Sequence, residues 1–448
     1  MKDKIRIGCG AGFSGDRLDP AIILTQNGKL DYLVLECLAE RTIALAQKRK
    51  IKDHTKGYDP LLEKRIESLL PALVQNKVTL ITNMGAANPI EAARTVVDIA
   101  RKLKLKIKVA AVTGDDVFEK VDTSAMALET NEPVSNSGEL ISANAYLGVD
   151  GILKALHANA NVIITGRVAD PSLFLAPMIF EFGWSTSDYD LLGKGTVIGH
   201  LLECAGHITG GYFSDPVKKP IEDLHKIGHP FADVTKDGSA IISKVKGTGG
   251  AVNLQTVKEQ LLYEVINPFE YLTPDVIADF TSVKLKEIGK DQVEVTGGHG
   301  KAKPNTYKIS VGYKAFCLGE GEISYAGQSA LERAKLAGEI ISKRFSEGFV
   351  ISDHPISEIR IDYIGVSSVH RTDFNTAFSP PYEIRLRVAG KAQTIEDAAL
   401  IGEEVESLYT NGPAAGGGVR KLANEVVGIV STLIDRNRIE VQVTIIES

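Results

Sequence analysis

Arg167 is the residue whose type and position most directly suggest binding chemistry. It follows the apolar run 162–165, in the segment Gly166-Arg167-Val168-Ala169-Asp170-Pro171. A guanidinium group stays charged and presents a fork of N–H donors, which suits a carboxylate or a phosphate. Arg167 is therefore predicted to clamp an anion. Asp170, next to Pro171, is predicted either to cap the following helix or to serve as a catalytic residue of the same site.

A second set of candidate catalytic residues lies further along the chain. On a helix, His200, Glu203, Cys204 and His207 fall on one face, and each can ligate a metal or transfer a proton. This order is not that of a known metalloprotease, and tight packing explains the same spacing, so no metal is predicted. The helix is predicted to end at 209–211, with Glu203 as the general base.

The N-terminal stretch reads as a strand, a glycine turn and a helix with Asp19 as its N-cap. The segment Gly10-x-Gly12-x-x-Gly15 fits a dinucleotide-type fingerprint, and Glu36 ends the next apolar run, where a ribose-binding acid is found. A plain strand-to-helix turn or a generic anion-binding loop needs the same glycines. A substrate-binding role is predicted for Gly10, Gly12, Ser14 and Gly15 of the turn and for Glu36. The identity of a cofactor is not predicted.

Polar residues follow several other buried strands. Ligands of parallel sheets bind at the carboxyl ends of the strands, so these residues are expected to converge beside the glycine turn. On this ground, substrate-binding roles are predicted for Asn83, Gly85 and Asn88, with Asp115 and Asp116 nearby, although Asn88 is equally suited to capping a helix. Thr248, Gly249 and Gly250 are predicted to offer backbone N–H groups to an anion, or to form a hinge.

The fold class follows from the order of the elements. Buried strands alternate with helices up to about residue 215, which is typical of a mostly parallel, Rossmann-like sheet covered on both faces. Alternating runs and helices after that point predict a second, α+β domain, so the expected domains are 1–215 and 216–448. A helix is predicted near 421–434, after the glycine-rich segment 413–420.

The C-terminal region also carries an expectation about assembly. Strands are predicted at 359–364, 382–388 and 439–446, with only two helices near them. A sheet of this kind would expose edges and one apolar face, which proteins rarely leave free. A homo-oligomer is therefore predicted, unless the N-terminal helices cover this sheet within one chain.

Composition limits the classes of partner. The chain has 448 residues, a net charge of −6 and 44% hydrophobic residues, which suits a globular protein with more than one core. The absence of a long basic run argues against nucleic-acid and membrane partners. The four cysteines lack metal or disulfide spacing, and no signal or membrane-spanning segment is found in the sequence, so a cytoplasmic location is expected.

The motifs together resemble a known family. The segments GCGAGFSGDR, TNMGAANP, TGRVADPS, GHLLECAGHITGG, GTGGAV, QLLYEV, YLTPDV and GPAAGGG follow in this order over nearly the whole chain. They are similar to the acyclic terpene utilisation (AtuA) family. The resemblance implies an α/β protein, often accompanied by a ferredoxin-like domain, near enzymes that handle branched acyl-CoA or polycarboxylate intermediates. Because the sequence ends at Ser448, that domain is expected as a small separate subunit.

The function predicted from these residues is that of a metabolic enzyme acting on an acidic small molecule. An acyl-CoA thioester or a polycarboxylate would be processed by lyase, hydratase or isomerase chemistry, which requires an anion clamp, a base and donors for an enolate oxygen. Two alternatives remain open: a dinucleotide-dependent oxidoreductase, and a non-catalytic subunit completed by the small ferredoxin-like partner.

Overall fold

The computed structural model describes residues 2–371 and 381–448, which form two compact units. The larger unit comprises Met1–Asn136, Leu140–Gly312 and Ile429–Ser448, and the smaller unit comprises Ser137–Glu139 and Tyr313–Gly428. The helices are α1 Asp19–Asn27, α2 Glu40–Lys52, α3 Leu62–Asn76, α4 Pro89–Lys102, α5 Asp150–His157, α6 Ser172–Phe182, α7 Tyr189–Glu203, α8 Leu254–Leu262, α9 Ala330–Ser346 and α10 Ile395–Asn411.

The strands occur throughout the chain. They are β1 Lys4–Ala11, β2 Tyr32–Leu35, β3 Thr79–Thr82, β4 Lys108–Thr113, β5 Leu140–Ala145, β6 Val162–Thr165, β7 Pro230–Thr235, β8 Ala240–Lys244, β9 Tyr271–Leu272, β10 Ile277–Asp279, β11 Lys284–Gly289, β12 Gln292–Thr296, β13 His299–Lys301, β14 Thr306–Ala326, β15 Ser357–Ile364, β16 Glu383–Ala392, β17 Gly417–Asp435 and β18 Gln442–Glu447. Together with the helices they make a mixed α/β fold.

The larger unit is built on a ten-stranded sheet with the order β11-β12-β8-β7-β1-β2-β3-β6-β4-β18. The five strands from β1 to β4 in this order are parallel, and the flanking strands are antiparallel. The predicted parallel sheet is thus present as the middle of a larger, mixed sheet. A separate three-stranded sheet of β9, β10 and β13 completes the unit.

Helices lie on both sides of the parallel strands. The strands β2 and β6 are buried along their whole length, as expected for strands covered on both faces. Packing contacts join α1, α3 and α4 to one another, and likewise α5, α6 and α7. The chain reverses its direction across the sheet after β4, and parallel crossovers are right-handed, so these two groups of helices cover opposite faces.

The first glycine turn is explained by close packing. A Cβ atom at Gly10 would lie 2.7 Å from a Leu35 methyl group and 2.9 Å from Ala21, and one at Gly12 would lie 2.6 Å from the backbone of Cys204. Helix α1 begins at Asp19, with Leu18 in the N-cap position and a proline in the first turn. Asp19 is therefore the first helical residue and not the cap, and Pro20 is the second.

The smaller unit contains two helices and four strands of a five-stranded sheet. Its strands follow the order β15-β16-β14-β17, and the chain order is β14-α9-β15-β16-α10-β17. This is the βαββαβ arrangement of ferredoxin-like folds. Apolar residues of β14 and β16 pack with residues of α9 and α10, such as Ile323, Leu386, Ile341 and Val405. The apolar face that was expected to be exposed is therefore covered by helices of the same unit.

Other expectations about the C-terminal half need correction. The segment predicted as a helix at 421–434 is part of β17, because β-branched residues such as Val426, Val427 and Val430 favour a strand and pairing with β14 satisfies it. The run at 439–446 gives β18, which pairs with β4 and not with β15 or β16. The compact units also divide differently from the predicted 215/216 boundary, because residues 216–312 belong to the larger unit.

Candidate functional site

A cavity of about 1020 Å³ lies in the larger unit, where the parallel strands end. Residues that follow β1, β2 and β6 line it, together with residues from the C-terminal end of α7. This is the edge of a parallel sheet at which ligands bind. Of the residues predicted from sequence to form the site, those lining the cavity are Gly12, Glu36, Arg167, Asp170 and Glu203.

Arg167 forms the floor of the cavity, and its backbone is firmly positioned. Its N–H donates to Asp115 Oδ2 at 2.9 Å, and Asn144 Nδ2 donates to the same oxygen at 2.9 Å. Gly166 has no side chain to obstruct the Asp115 carboxyl group, which a Cβ atom would contact. Burial raises the pKa of Asp115 to about 6. Asp115 therefore supports the arginine from outside the cavity.

The side chain of Arg167 is 2% exposed, and its charge is only partly matched by neighbouring groups. The guanidinium carbon lies 4.1 Å from the centre of the Tyr146 ring, and Nη2 lies 3.5 Å from Asp170 Oδ1. Nε and Nη1 have no hydrogen-bond partner among the described residues. A buried charged donor without a partner is costly, so this group is suited to receiving an acceptor from a ligand.

Asp170 faces the same part of the cavity. Its Oδ1 atom is buried and accepts no hydrogen bond within the described chain. Burial raises the pKa of this carboxyl group to about 7; the Arg167 charge opposes the shift, and Glu203 and Glu40 add to it. Asp170 can therefore exchange a proton near neutral pH.

Glu203 is joined to His200, which lies one turn earlier on α7. The distance from His200 Nδ1 to Glu203 Oε1 is 2.9 Å, and His200 Nε2 lies 2.9 Å from the carbonyl oxygen of Gln260. A carbonyl oxygen only accepts, so Nε2 carries a proton. The hydrogen bond between His200 Nδ1 and Glu203 Oε1 then requires one more proton, on one of these two atoms. The pair has no net charge in either case, because it is either two neutral groups or an imidazolium beside a carboxylate.

The second oxygen of Glu203, Oε2, has no partner in the described part of the chain. Burial raises the pKa of Glu203, and the hydrogen bond with His200 opposes this shift. Helix α7 ends at Glu203, and Ala205 adopts a left-handed backbone conformation with φ of 44°. His207 consequently lies beyond the helix and not on its face, so the predicted extension to 209–211 was wrong.

Glu36 directly follows β2 and lines the same cavity. Its Oε1 accepts from the Leu38 N–H and from Asn83 Nδ2, both at 2.8 Å. Burial raises the pKa of Glu36, and the charge of Asp170 adds to this shift. Asn83 is fully buried and also accepts from the Cys37 N–H at 2.7 Å. Asn83 therefore positions Glu36 from beneath the cavity.

Three residues that were missed by the sequence analysis complete the floor: Tyr146, Glu40 and Lys308. The Tyr146 hydroxyl donates to Glu40, and Lys308 Nζ lies 3.6 Å from the same carboxylate and 5.0 Å from the Tyr146 ring centre. Burial raises the pKa of Glu40, but the charge of Arg167 and the bond from Tyr146 outweigh it and lower the pKa to about 2. Glu40 is thus the ionised carboxylate of the floor.

The mouth of the cavity is largely aromatic and aliphatic. The His207 ring stacks on Tyr212 with centroids 5.1 Å apart, and Tyr263 meets His207 edge-on at 5.0 Å. Tyr212 and Glu264 both line the cavity with positive φ, each of 59°. Strained backbone of this kind is concentrated at functional sites.

Several predicted residues lie outside the cavity lining and have structural contacts. Asn88 Nδ2 donates to the carbonyl groups of His54 and Lys56, at 2.9 and 2.8 Å. A Cβ atom at Gly85 would lie 2.5 Å from the Thr165 carbonyl oxygen, so Gly85 allows two strand ends to approach. Ser14 offers its carbonyl oxygen to Arg65, and Gly15 packs on the Phe13 ring. Asp116 accepts from Gln47.

The second glycine loop also lies away from the cavity lining. The N–H groups of Thr248, Gly249 and Gly250 donate to the carbonyl groups of Val245, Lys226 and Glu222, at distances of 3.3, 2.9 and 3.0 Å. These donors are already used within the fold. The segment 413–420 leads into β17 and forms its first residues, so it offers no helix N-terminus.

The contacts of the first glycine turn favour a packing role over dinucleotide binding. The Gly12 N–H, which a pyrophosphate would need, donates to Asp16 Oδ2 at 3.0 Å. Glu36, in the position of a ribose-binding acid, is turned toward Asn83 and the cavity floor. The carboxylate of Asp16 occupies the place where an anion would approach the turn.

Two further observations concern metals and membranes. Within 2–371 and 381–448, no group of three or more His, Cys, Asp or Glu side chains is arranged to hold a metal ion. Over the same residues, no helix is both long enough and apolar enough to cross a membrane.

The fold and the cavity define a mixed α/β protein in which a buried arginine and several carboxyl groups meet at the carboxyl edge of parallel strands. The chain belongs to the acyclic terpene utilisation family, since the family model for "Acyclic terpene utilisation family protein AtuA" matches residues 5–445. The resemblance drawn from the sequence motifs is confirmed. No curated protein and no solved structure matches the chain.

Proposed function

We propose that the protein is a metabolic enzyme that binds an acidic small molecule through Arg167 and processes it by lyase, hydratase or isomerase chemistry. The observation that carries this proposal concerns Nε and Nη1 of a guanidinium that is 2% exposed, because neither atom has a hydrogen-bond partner among the described residues. A carboxylate or a thioester carbonyl on the substrate would supply acceptors to both atoms.

The neighbouring carboxyl groups supply the proton transfers that this chemistry needs. Glu203 removes a proton from the carbon next to the carbonyl group, and Arg167 stabilises the negative charge that develops on the oxygen. In a lyase or hydratase, neutral Asp170 then donates its proton to the departing oxygen as the carbon–oxygen bond breaks. Burial raises the pKa of both carboxyl groups, that of Asp170 to about 7, which supports a part for both in proton transfer.

The architecture around the cavity supports the same proposal. We regard the five parallel strands as a Rossmann-like half that brings distant loops to one edge, which is how such folds assemble their sites. The antiparallel strands of the smaller unit give it the α+β character expected of a second domain. A ferredoxin-like βαββαβ arrangement is present within this chain, and a further small subunit of that type remains a proposal.

We further propose a cytoplasmic, homo-oligomeric protein. Cys9, Cys37 and Cys204 are free thiols, and Cys9 and Cys37 are buried, which supports a reducing compartment. Strand β15 is the outer strand of its sheet, and edge strands favour pairing with another chain. Light scattering of the purified chain tests the assembly, and a monomer mass at micromolar concentration would contradict it.

The binding function is tested by a thermal-shift screen of carboxylic acids and thioesters on the full-length protein and two arginine variants. A ligand at 100 times its dissociation constant stabilises the fold by about 2.7 kcal/mol. Arg167→Lys is expected to remove the shift of every ligand that stabilises the wild type. Arg6→Lys is the matched control, because Arg6 also stacks on a ring, at 4.2 Å from Phe231, and pairs with Asp233 outside the cavity. Equal shifts in wild type and Arg167→Lys would contradict the proposal.

A further inference from the structure

The charge of the cavity lining limits which acids the proposed site can accept. Seven carboxyl side chains line the cavity, against two groups with a fixed positive charge, Arg167 and Lys308. Lys308 already lies 3.6 Å from Glu40. Of these two cations, Arg167 is the one with buried donors that lack a partner among the residues that the structure describes.

The acids closer to the entrance make a second anion unfavourable. Asp16, Glu264 and Glu270 line the cavity together with the aromatic residues of the mouth. Glu270 lies 3.3 Å from Lys301, and Asp16 accepts the Gly12 N–H, so both carboxylates are held in place. A second carboxylate, or the phosphates of a coenzyme A moiety, would meet like charges here.

The rest of the wall is suited to an uncharged, apolar body. Tyr212, Ile266 and Leu272 line the cavity and yet are 86%, 100% and 68% exposed. Tyr263 and Tyr271 also line the cavity and continue this surface inward toward Glu203. Burial raises the pKa of the Tyr271 hydroxyl, and the charge of Glu203 adds to this shift. Exposed apolar side chains gathered around one opening mark a place where apolar ligand surface is buried.

We propose that the substrate carries a single anionic group, bound by Arg167, and an apolar body that lies along Tyr263, Tyr271 and Leu272. This inference rests on the proposed function and narrows it to one substrate class, a monocarboxylate with a hydrocarbon chain. Polycarboxylates and coenzyme A thioesters are expected to bind poorly, although the sequence suggested them.

The test uses a matched series of ligands and isothermal titration calorimetry on the full-length protein. Butanoate, hexanoate and octanoate differ in chain length, octanedioate has a second carboxylate on the octanoate chain, and octanoyl-CoA adds the phosphates. Each methylene that becomes fully buried improves affinity about fourfold. Octanoate is therefore expected to bind roughly tenfold or more tightly than butanoate, and also more tightly than octanedioate and octanoyl-CoA.

A variant of the apolar wall and its control test how much this wall contributes to affinity. Leu272→Asn is expected to reduce the advantage of octanoate over butanoate. Leu422→Asn is the control, since Leu422 is 50% exposed on β17 of the smaller unit and is not part of the lining. The control is expected to behave as the wild type with every ligand.

The outcomes distinguish the two levels of the proposal. If octanedioate or octanoyl-CoA binds at least as tightly as octanoate, and Arg167→Lys abolishes that binding, the single-anion inference fails and the proposed function stands. If affinity rises with chain length but Arg167→Lys has no effect, the anion clamp fails, and the proposed function with it. If Leu272→Asn leaves the chain-length dependence intact, the apolar body does not lie on this wall.

Discussion

The guanidinium of Arg167 lies 4.1 Å from the centre of the Tyr146 ring, and the Tyr146 hydroxyl donates to Glu40. One side chain thus supports the cation through its ring and holds the ionised carboxylate of the floor through its hydroxyl group. Arg167 is fixed against an aromatic face while its Nε and Nη1 atoms remain open to a ligand.

Replacing Tyr146 separates these two roles. Tyr146→Phe keeps the ring and is expected to leave anion affinity close to that of the wild type, whereas Tyr146→Leu removes the ring and the cation–π contact. That contact is worth about 0.5 to 2 kcal/mol, so Tyr146→Leu is expected to weaken octanoate binding by roughly 2- to 30-fold. Titration calorimetry makes the comparison, and equal losses for both variants would show that the ring does not position Arg167.

The His200–Glu203 pair predicts effects of different size on stability for two substitutions of Glu203. Glu203→Gln retains a donor for His200 Nδ1, so the free energy of unfolding is expected to stay within about 1 kcal/mol of the wild type. Glu203→Leu leaves the buried Nδ1 atom without a partner and is expected to cost about 1 to 3 kcal/mol. Urea unfolding of both variants gives the answer, and equal stabilities would contradict the hydrogen-bond assignment.

The pKa of Asp170 makes stability depend on pH in a defined direction. Its value of about 7 in the folded protein lies above the ordinary value of 3.8, so the folded state keeps a proton that the unfolded state has already lost between these limits. The proton on Asp170 therefore adds to the free energy of unfolding at low pH, and this contribution is lost as pH rises from about 4 to about 7.

The variant Asp170→Asn removes this dependence. Relative to the wild type, its free energy of unfolding is expected to increase between pH 5 and pH 8. Anion affinity of the wild type is also expected to fall over this interval, because an ionised Asp170 competes for Arg167, and the variant should lack that fall. Urea unfolding and titration at the two pH values test both effects; parallel behaviour of wild type and variant would contradict them.

The close approach of β1 to the end of α7 predicts different tolerance at two neighbouring glycines. A Cβ atom at Gly12 would lie 2.6 Å from the Cys204 backbone, whereas one at Gly15 would meet only the ring of Phe13, a side chain that is 60% exposed. Gly12→Ala is expected to destabilise the fold by about 1 to 3 kcal/mol, and Gly15→Ala by much less. Thermal unfolding compares them, and similar losses would show that Phe13 is as rigid as the backbone.

The parallel part of the sheet could be predicted because its signals are local. The runs 32–35, 78–82 and 162–165 are short and apolar, and polar or glycine-rich loops follow them. Since such strands end at one edge, the sequence alone placed Glu36, Arg167 and Asp170 near one another, and all three line the cavity.

The misassigned elements depend on long-range pairing. The N-terminal part of β17 contains Ala423, Asn424 and Glu425, which are compatible with a helix, and its β-branched residues become decisive only when β14 lies beside them. Strand β18 pairs with β4, although more than 300 residues separate Val112 from Val443. Local propensity carries no information about such partners.

The missed residues of the site show the same limit. Glu40 begins α2 soon after β2. Its position after a predicted strand could have been recognised in the sequence as easily as that of Glu36. Tyr146 follows β5 and Lys308 lies in β14, two strands outside the parallel alternation, so their approach to Arg167 required the tertiary structure. Thr248, Gly249 and Gly250 were chosen from composition, which did not reveal that their N–H groups donate to nearby carbonyls.

The central claim is that the open face of Arg167 binds the acidic group of a ligand, and a crystal structure of the full-length protein with octanoate tests it most directly. The account predicts carboxylate oxygens within hydrogen-bond distance of Arg167 Nε and Nη1, with the chain directed toward Tyr263 and Leu272. A carboxylate bound elsewhere in the cavity, with both arginine nitrogens still without an acceptor, would contradict it.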